Sequence, residues 1–325
     1  MSPDLPAALS LAIQRLLEGV ARRELGGRAA LMSQTYRRGG GSAGVVQNEA
    51  DALAYVMSRF PGTYAACARA MAEVAEVVPA FAPDSLLDAG AGPGGGGWAA
   101  LETWPLIFRV TLLDSNAAFL KMAEALADHG AASLRSAQRL RVDLAAPGEW
   151  PAADLVLASY ALGEIAPNGL SGVVSALWQA CTGVMLVVEP GTPAGWLRIL
   201  SVREQLIAAG GVVLAPCPHD LTCPVASPDW CHFSQRLPRS RDHRAVKAAA
   251  APFEDEKFTY LAVARPGTST VAAKARILAP ARSGKPGITL KLCRPDGGIE
   301  RRVVPKGDKK GIAAVRRLDW GDRVD

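Results

Sequence analysis

Apolar residues recur at helical spacing through two stretches, residues 5–25 and 48–79. This 3.6-residue spacing is typical of amphipathic helices, so a helical region is expected over roughly the first 80 residues. Residues 37–42 contain three consecutive glycines and are predicted to end a helix between the two stretches. Asn48 and Thr63 are candidate N-caps for the helices that follow.

From residue 84 the pattern changes to short apolar runs that alternate with helical stretches, which is typical of βαβ units in a parallel sheet. The candidate strands are residues 85–88, 109–114, 140–143, 154–159, 184–189 and 258–264. Further apolar runs separated by Gly-Pro turns predict a small antiparallel β unit within residues 274–305.

We therefore expect an α/β protein in three parts. The predicted parts are a helical N-terminal region at 1–80, a Rossmann-like domain at 81–266 with an inserted cysteine loop at 215–240, and a basic β-rich C-terminal module at 267–325. Residues 267–271 are the expected linker between the second and third parts.

A glycine-rich turn follows the first candidate strand, directly after Asp88. Gly90, Gly92 and Gly94 permit a tight turn and allow a ligand to approach the backbone closely. The residues after the turn can start a helix, whose N-terminus favours an anionic group. The stretch therefore predicts a cofactor-binding loop.

Polar side chains stand at the carboxyl ends of five candidate strands, where parallel sheets bind their ligands. These residues are Asp88, Asp114, Asp143, Ser159 and Glu189. Any one of the acids could simply cap the helix that follows it, but four acids at one sheet edge favour a binding site. Asp114 lies 20 residues after Gly94, the distance at which a carboxylate accepts hydrogen bonds from ribose hydroxyls.

Two cofactor classes are compatible with this loop. Gly90, Gly92 and Gly95 satisfy the G-x-G-x-x-G spacing of dinucleotide sites. Pro93, however, removes a backbone donor that a pyrophosphate would need, and Asp143 offers an acceptor for an adenine amino group. These features favour S-adenosylmethionine, which carries no phosphate.

Residues 87–94, Asp114 and residues 154–160 together resemble the class I S-adenosylmethionine-dependent methyltransferases. The cofactor-binding residues that this resemblance implies are Asp88, Gly90, Gly92, Gly94, Asp114 and Asp143. Asp114 would hold the ribose, and Asp143 would meet the adenine ring. No catalytic residue is identified, because the Pro-Pro-aromatic motif of amino-group methylases is absent after the fourth candidate strand.

Three of the six cysteines, Cys217, Cys223 and Cys231, lie in a segment that also contains four prolines. Such a loop is unsuited to a helix or strand core, so it predicts metal or cluster ligation, and soft thiolates select zinc or iron–sulfur clusters. The residues alone leave the fourth ligand open among His219, His232 and Cys293.

The other cysteines have simpler interpretations. Cys67 lies in a helical alanine run and Cys181 beside an apolar strand, so both are predicted to be core residues. Cys217 could act as the nucleophile of a pyrimidine methylase, but its neighbours favour ligation.

The cysteine loop, with residues 230–240 and 253–260, closely resembles the methyltransferase-like proteins of small ribosomal subunit assembly, which comprise mitochondrial members and bacterial homologues. The ligand set that this resemblance implies for a 4Fe-4S cluster is Cys217, Cys223, Cys231 and Cys293, with zinc as the alternative. The implied partners are the small ribosomal subunit and its rRNA. Two functions fit: an rRNA methyltransferase, or a non-catalytic assembly factor that uses the fold as an RNA-binding scaffold.

Charge is distributed unevenly along the chain. Residues 265–325 hold 15 Lys and Arg against 6 Asp and Glu, whereas the whole chain has a net charge of only +5. A basic tail is typical of nucleic-acid binding, although a solvated appendage explains the charge equally well. Basic residues are expected on two surfaces, at positions 236–247 and 306–317.

The apolar fraction of 49% over 325 residues predicts a globular protein. No apolar run is long enough to span a bilayer, and the N-terminus lacks the pattern of a signal peptide. We therefore expect a cytoplasmic monomer with reduced thiols and no membrane association.

Overall fold

The computed structural model describes residues 4–38, 40–146 and 148–325. The helices are α1 (Ala7–Leu16), α2 (Arg22–Arg37), α3 (Glu49–Ser58), α4 (Phe60–Val77), α5 (Gly95–Thr103), α6 (Ala117–Ala127), α7 (Ala132–Arg135), α8 (Pro167–Ala180), α9 (Pro193–Ala208), α10 (Arg241–Lys247) and α11 (Lys309–Val315), with 3₁₀ turns at Ser42–Gly44 and Leu162–Glu164. The strands are β1 (Ser85–Ala89), β2 (Arg109–Asp114), β3 (Gln138–Arg141), β4 (Ala153–Ser159), β5 (Cys181–Pro190), β6 (Val212–Ala215), β7 (Phe233–Pro238), β8 (Phe253–Ala264), β9 (Ala275–Ile277), β10 (Arg282–Ser283), β11 (Gly287–Cys293), β12 (Ile299–Pro305) and β13 (Arg323–Val324).

Helices α1 to α4 form the predicted helical region. The Asn48 side chain accepts a hydrogen bond from the Asp51 amide and caps α3, which confirms the first predicted N-cap. Thr63 is not a cap, so the second prediction was wrong. Helix α4 begins at Phe60 because Pro61 occupies its first turn, where proline is tolerated. Of the predicted glycine break, Gly39 lies outside the described residues.

The central sheet has the strand order β3-β2-β1-β4-β5-β8-β6, with β7 paired to β8. Strands β1 to β5 pair in parallel, and β8 runs antiparallel to both β5 and β6. Successive residues of β1 face opposite sides, so Leu86 joins one apolar core and Leu87 the other. This arrangement confirms the α/β class and the Rossmann-like sheet.

Most predicted strands agree with the structure, and the exceptions have physical causes. The third strand ends at Arg141, two residues before the predicted end at Asp143. Strands β6 and β7 were not predicted: β6 has only four residues, and β7 contains three consecutive polar residues at 234–236 and pairs with β8 alone. The predictions for Cys67 and Cys181 are confirmed, since both side chains are buried.

A second sheet, entirely antiparallel, has the order β10-β11-β9-β13 with β12 paired to β11. Its small core contains Ile277, Leu290, Leu292 and Val304. The predicted linker is irregular, and its Val271 amide donates to the Val77 carbonyl at the end of α4. The antiparallel unit is confirmed, whereas the domain boundaries at 80 and 266 remain predictions.

The second sheet docks on the helical region through charged side chains. The buried guanidinium of Arg276 donates to Glu73 of α4 and to the Gly321 carbonyl. Arg69 of α4 pairs with Asp322 over 2.7 Å. Among the described residues, no helix is long and apolar enough to cross a membrane.

Candidate functional site

The glycine turn lies at the carboxyl end of β1, and all three predicted glycines have positive φ. The φ angles are 72° at Gly90, 53° at Gly92 and 86° at Gly94, a conformation that other residues adopt only with strain. A Cβ on Gly90 would lie 2.4 Å from the Cβ of Ala161, which follows β4. The turn and the segment after β4 therefore pack too closely for any side chain between them.

Helix α5 also depends on a glycine for its position. A Cβ on Gly96 would lie 2.2 Å from Leu157 and 2.8 Å from the Asp88 carboxylate. Gly96 thus allows α5 to lie close to the sheet, a role that the sequence did not indicate.

Asp88 is completely buried at the start of the turn. Among the described residues, neither oxygen of its carboxyl group has a hydrogen-bond partner. Burial, followed by the charge of Asp114, raises the pKa of Asp88 to about 7. The chain therefore holds a buried, unsatisfied acid beside a backbone turn, which is the kind of group that a bound ligand satisfies.

Asp114, at the end of β2, supports the turn directly. Its two oxygens accept hydrogen bonds from the Gly92 and Asn116 amides, each over 2.8 Å. Burial raises the pKa of Asp114, and these two amides oppose that rise. Each carboxylate oxygen can accept a second hydrogen bond, so the group retains capacity for hydroxyls.

The other strand-end acids are placed differently. Asp143 is exposed in a turn beyond β3, and its Oδ1 accepts from the Ala145 amide. Glu189, at the end of β5, is buried and paired with Arg198 over 2.7 Å. The structure therefore brings Asp88 and Asp114 together, and the role of Asp143 at an adenine ring stays a prediction.

The helical region covers this edge of the sheet, a contact that sequence reasoning missed. The Ser42 amide and hydroxyl both donate to Glu164, which follows β4. The Asn116 side chain donates to the Val46 carbonyl over 2.7 Å. Residues 42–46 thus lie against the segments that follow β2 and β4.

Sequence reasoning also missed Tyr160, which directly follows β4. Its φ is 56°, an unusual value for a residue with a side chain, and its hydroxyl donates to Glu256 of β8 over 2.8 Å. Burial raises the pKa of Glu256. The unusual φ is the signal that distinguishes this residue, and it is absent from the sequence pattern.

The four cysteines predicted as ligands line one cavity of about 20 Å³. Cys217, Cys223 and Cys231 reach it from the loop between β6 and β7, and Cys293 reaches it from the end of β11. All four are free thiols. Other residues that line the cavity are Trp196, Arg203, Val225, Arg276 and Leu278.

The cysteine thiols influence one another electrostatically. Burial raises the pKa of Cys231 well above its ordinary value, and the charges of Cys217, Cys223 and Cys293 raise it further. Burial likewise raises the pKa of Cys293 to about 12. In the absence of a bound cation, Cys231 and Cys293 are therefore thiols at neutral pH.

The two candidate histidines occupy different positions. His219 Nε2 lies 3.4 Å from the Cys293 Sγ, whereas His232 stacks on Trp230 and meets Trp320 edge-on. Neither histidine lines the cavity. Within the described part of the chain, no three His, Cys, Asp or Glu side chains are arranged to hold a metal ion.

The two basic surfaces differ in how far their charges are neutralised. On the first surface, Arg236 pairs with Asp255, and Arg239 and Lys247 pair with Glu254. On the second surface the basic side chains are exposed, and none of them forms an ion pair with a described residue. These side chains are Lys306, Lys309, Lys310, Arg316 and Arg317.

Comparison with known proteins places these features in a family context. The family model described as mitochondrial small ribosomal subunit Rsm22 matches residues 49–325. The human mitochondrial ribosome assembly protein METTL17 is 29% identical over 293 residues, covering 83% of this chain and 61% of that protein. The mitochondrial Rsm22-cox11 tandem protein 2 of Schizosaccharomyces pombe is 24% identical, covering 83% of this chain and 42% of that protein. The chain thus spans less than two thirds of the length of these relatives.

Solved structures that align with this chain include two methyltransferases. Magnesium protoporphyrin IX methyltransferase from Synechocystis, with bound S-adenosylmethionine, aligns at a TM-score of 0.40 and 14% identity, covering 71% of this chain and 90% of that one. Precorrin-6y C5,15-methyltransferase from Geobacter metallireducens aligns at a TM-score of 0.40 and 16% identity, covering 61% of this chain and 85% of that one.

Proposed function

The chain belongs to the Rsm22 family of the mitochondrial small ribosomal subunit, and we propose that it is an assembly factor of a small ribosomal subunit. In this proposal it binds S-adenosylmethionine at the glycine turn, holds a 4Fe-4S cluster in the cysteine cavity and contacts rRNA through its basic tail. The observation that carries the proposal is the convergence of Cys217, Cys223, Cys231 and Cys293 on one cavity, although Cys293 is distant from the other three in the sequence.

The residues at the glycine turn fit S-adenosylmethionine. Asp88 is a buried carboxyl group without a partner among the described residues, and Asp114 keeps free acceptor capacity for ribose hydroxyls. Gly90, Gly92 and Gly94 would pass the methionine moiety, and Asp143 would meet the adenine ring. When bound, this cofactor supplies a methyl group on a sulfonium, and the protein orients it.

Four cysteine thiols that line one cavity can hold either a 4Fe-4S cluster or a zinc ion, since thiolates ligate both. We propose the cluster, which is the group that the family resemblance implies, and zinc is the alternative. The apolar walls formed by Trp196, Val225 and Leu278 would exclude water from such a cluster.

The test is the iron, acid-labile sulfide and zinc content of protein purified without oxygen. We expect about four irons and four sulfides per chain, lost in Cys293→Ala. The matched control is Cys181→Ala, which removes a buried free cysteine that does not line the cavity and should keep its iron. One zinc per chain without sulfide would show that the site holds zinc and not a cluster. Metal retained in Cys293→Ala would indicate that His219, and not Cys293, is the fourth ligand.

Contact with rRNA is proposed for the second basic surface rather than the first. Unpaired Lys and Arg side chains that neutralise phosphates release the counterions bound to the nucleic acid, and this release drives non-specific binding. On the first surface Arg236, Arg239 and Lys247 are already neutralised by acids and contribute less. Only Arg241 and Arg244 of that surface are exposed without an ion pair to a described residue. The tail side chains have no such partners in the described residues.

Methyl transfer to rRNA is the second candidate function, and Tyr160 is the observation that favours it. Tyr160 follows β4 at the glycine-turn edge, with an unusual backbone conformation and a hydroxyl that donates to the half-buried carboxylate of Glu256. Backbone strain of this kind clusters at active sites. Tyr160 could therefore position an acceptor base, while Glu256 holds its hydroxyl.

Two variants separate the candidates. Asp88→Ala should abolish binding of S-adenosylmethionine, measured by calorimetry, and Tyr160→Phe removes only the hydroxyl. If small subunits mature normally in cells that carry either variant, catalysis is not required and the scaffold function stands. If both variants block maturation while the purified proteins stay folded and still bind rRNA, methyl transfer is the function.

The location and the oligomeric state of the protein are also part of the proposal. The relatives' names assign those proteins to mitochondria, in contrast to the cytoplasmic location expected from this sequence. We propose that the protein works as a monomer in whichever compartment its small subunit assembles. Co-sedimentation with small subunits from fractionated cells, and light scattering of the purified protein, test the two statements.

A further inference from the structure

Arg203 of α9 is a buried cation at the wall of the cysteine cavity. Its side chain is 3% exposed, and its Nη2 donates to the His219 and Leu221 carbonyls, each over 2.7 Å. These carbonyls lie between Cys217 and Cys223, so the guanidinium holds the segment that carries two candidate ligands. Its Nε is buried and has no hydrogen-bond partner among the described residues.

No described carboxylate lies within ion-pair distance of Arg203. Asp220, the adjacent acid in the loop, is exposed and accepts from the Val213 amide instead. Arg276 offers a direct comparison, because it lines the same cavity at the same 3% exposure but pairs with Glu73. One of the two cavity arginines therefore has a carboxylate partner and the other has none.

An isolated charge in a protein interior costs several kcal/mol, so a buried cation is ordinarily paired. Arg203 lines the same cavity as the thiols of the four candidate ligands, Cys217, Cys223, Cys231 and Cys293. Thiols are neutral and leave the cation uncompensated. Thiolates compensate it, and cysteines become thiolates when they ligate a metal.

We infer that Arg203 is the resident counter-charge of the cysteine site, a cation whose negative partner forms only when the cysteines bind iron or zinc. Arg203 is a positioning residue: it acts through the thiolates and the two loop carbonyls, and it ligates nothing itself. The inference rests on the proposed cluster site. It explains why a fully buried arginine lacks an acid among the described residues.

The test uses three variants of the full chain. Arg203→Met removes the charge at similar length, and Arg203→Lys keeps the charge but cannot bridge both carbonyls. Arg265→Met is the matched control, because Arg265 also donates to two backbone carbonyls, those of Cys181 and Trp178, and forms no ion pair with a described residue. Iron and sulfide are first measured in the unmodified protein. If it binds neither iron nor zinc, the proposed site fails and the inference fails with it.

For protein that does bind a cluster, two quantities are measured in each variant: the rate of iron loss to a chelator, and the shift of the urea midpoint between metal-free and loaded protein. We expect Arg203→Met to lose iron about 10- to 100-fold faster and to gain less stability on loading than the unmodified protein. Its cluster should also have a more negative reduction potential, because a positive charge favours the reduced, more negative state. Arg203→Lys should restore the potential.

A merely structural role predicts a different result. If Arg203 only clamps the loop, Arg203→Met lowers the urea midpoint of both forms equally and leaves the potential unchanged. That outcome would overturn the inference while leaving the cluster site intact. A change of the same size in Arg265→Met would overturn it as well.

Discussion

The carboxylate of Glu73 on α4 accepts a hydrogen bond from Arg276 on β9, and both side chains are buried. Removing one partner of a buried ion pair leaves the other charge uncompensated, which costs about 3–5 kcal/mol. We therefore expect Glu73→Gln to lower the free energy of unfolding by about that amount, measured by urea denaturation.

Glu76→Gln is the control for this prediction. Glu76 pairs with Arg323 over 2.6 Å from a side chain that is 63% exposed, and exposed pairs contribute about 0–1 kcal/mol. Equal losses in the two variants would contradict the importance of the buried pair. The same outcome would show that this buried pair contributes little to the docking of the second sheet on α4.

The buried carboxyl group of Asp88 predicts a pH dependence of stability. Its pKa is about 7 in the folded protein against 3.8 for the free side chain, so between these values the folded state binds a proton that the unfolded state does not. The free energy of unfolding should therefore fall as pH rises from about 4 to 7, by on the order of a few kcal/mol, with the full penalty above pH 7.

Asp88→Asn tests this pH dependence, because the amide cannot ionise. We expect the cofactor-free variant to be more stable than the unmodified protein at pH 8 and to lose the decline between pH 5 and 8. Asp143→Asn changes an exposed side chain, so its free energy of unfolding should depend on pH as that of the unmodified protein does. An unchanged slope in Asp88→Asn would show that another group causes the decline.

Two adjacent glycines in α5 predict opposite effects of the same substitution. Gly96→Ala places a methyl group 2.2 Å from Leu157 and should cost about 1–3 kcal/mol as the packing adjusts. The methyl group of Gly97→Ala would lie 3.4 Å from its nearest neighbouring atom, which is an ordinary contact, so this substitution should stabilise the helix by about 0.5–1 kcal/mol. Urea denaturation of both variants checks the pair, and a similar loss in both would contradict the close approach of α5 to the sheet.

The basic tail predicts a salt-dependent contribution to RNA binding. Replacing Lys306, Lys309 and Lys310 by Gln should weaken binding to a small-subunit rRNA transcript and reduce the slope of log Kd against log salt by about 0.7–0.9 per lost phosphate contact. Arg236→Gln is the control, because that side chain is already paired with Asp255. A larger effect of the control than of the triple variant would move the RNA contact to the first surface.

The sequence predicted features that depend on local pattern. Strand β2 was placed at its observed bounds, and the turn at Gly90, Gly92 and Gly94 has the positive φ angles that glycines suggested. Features that depend on long-range packing were not predictable. Nothing in the pattern around Tyr160 or Arg203 indicates that one has an unusual φ or that the other is buried without a carboxylate.

In the candidate site, too, local pattern was predictable and long-range packing was not. The residues alone left the fourth ligand open among His219, His232 and Cys293, and only a family resemblance selected Cys293, because 61 residues separate it from Cys231 in the sequence. The support that Asp114 gives to Gly92 was likewise hidden, since it depends on the spacing of neighbouring strands. Local chemistry identified the residue types, and the fold decided which of them meet.

The pairing of Glu73 with Arg276 also has a consequence for folding during translation. The two residues lie 203 positions apart, so Glu73 leaves the ribosome long before its partner is made. During that interval Arg69 of the same helix can pair with Glu73, but the buried partner Arg276 is missing, so the helical region cannot reach its final stability. Although domains generally fold from the N-terminus during synthesis, the early helices of this protein depend on residues that are made near the end of the chain.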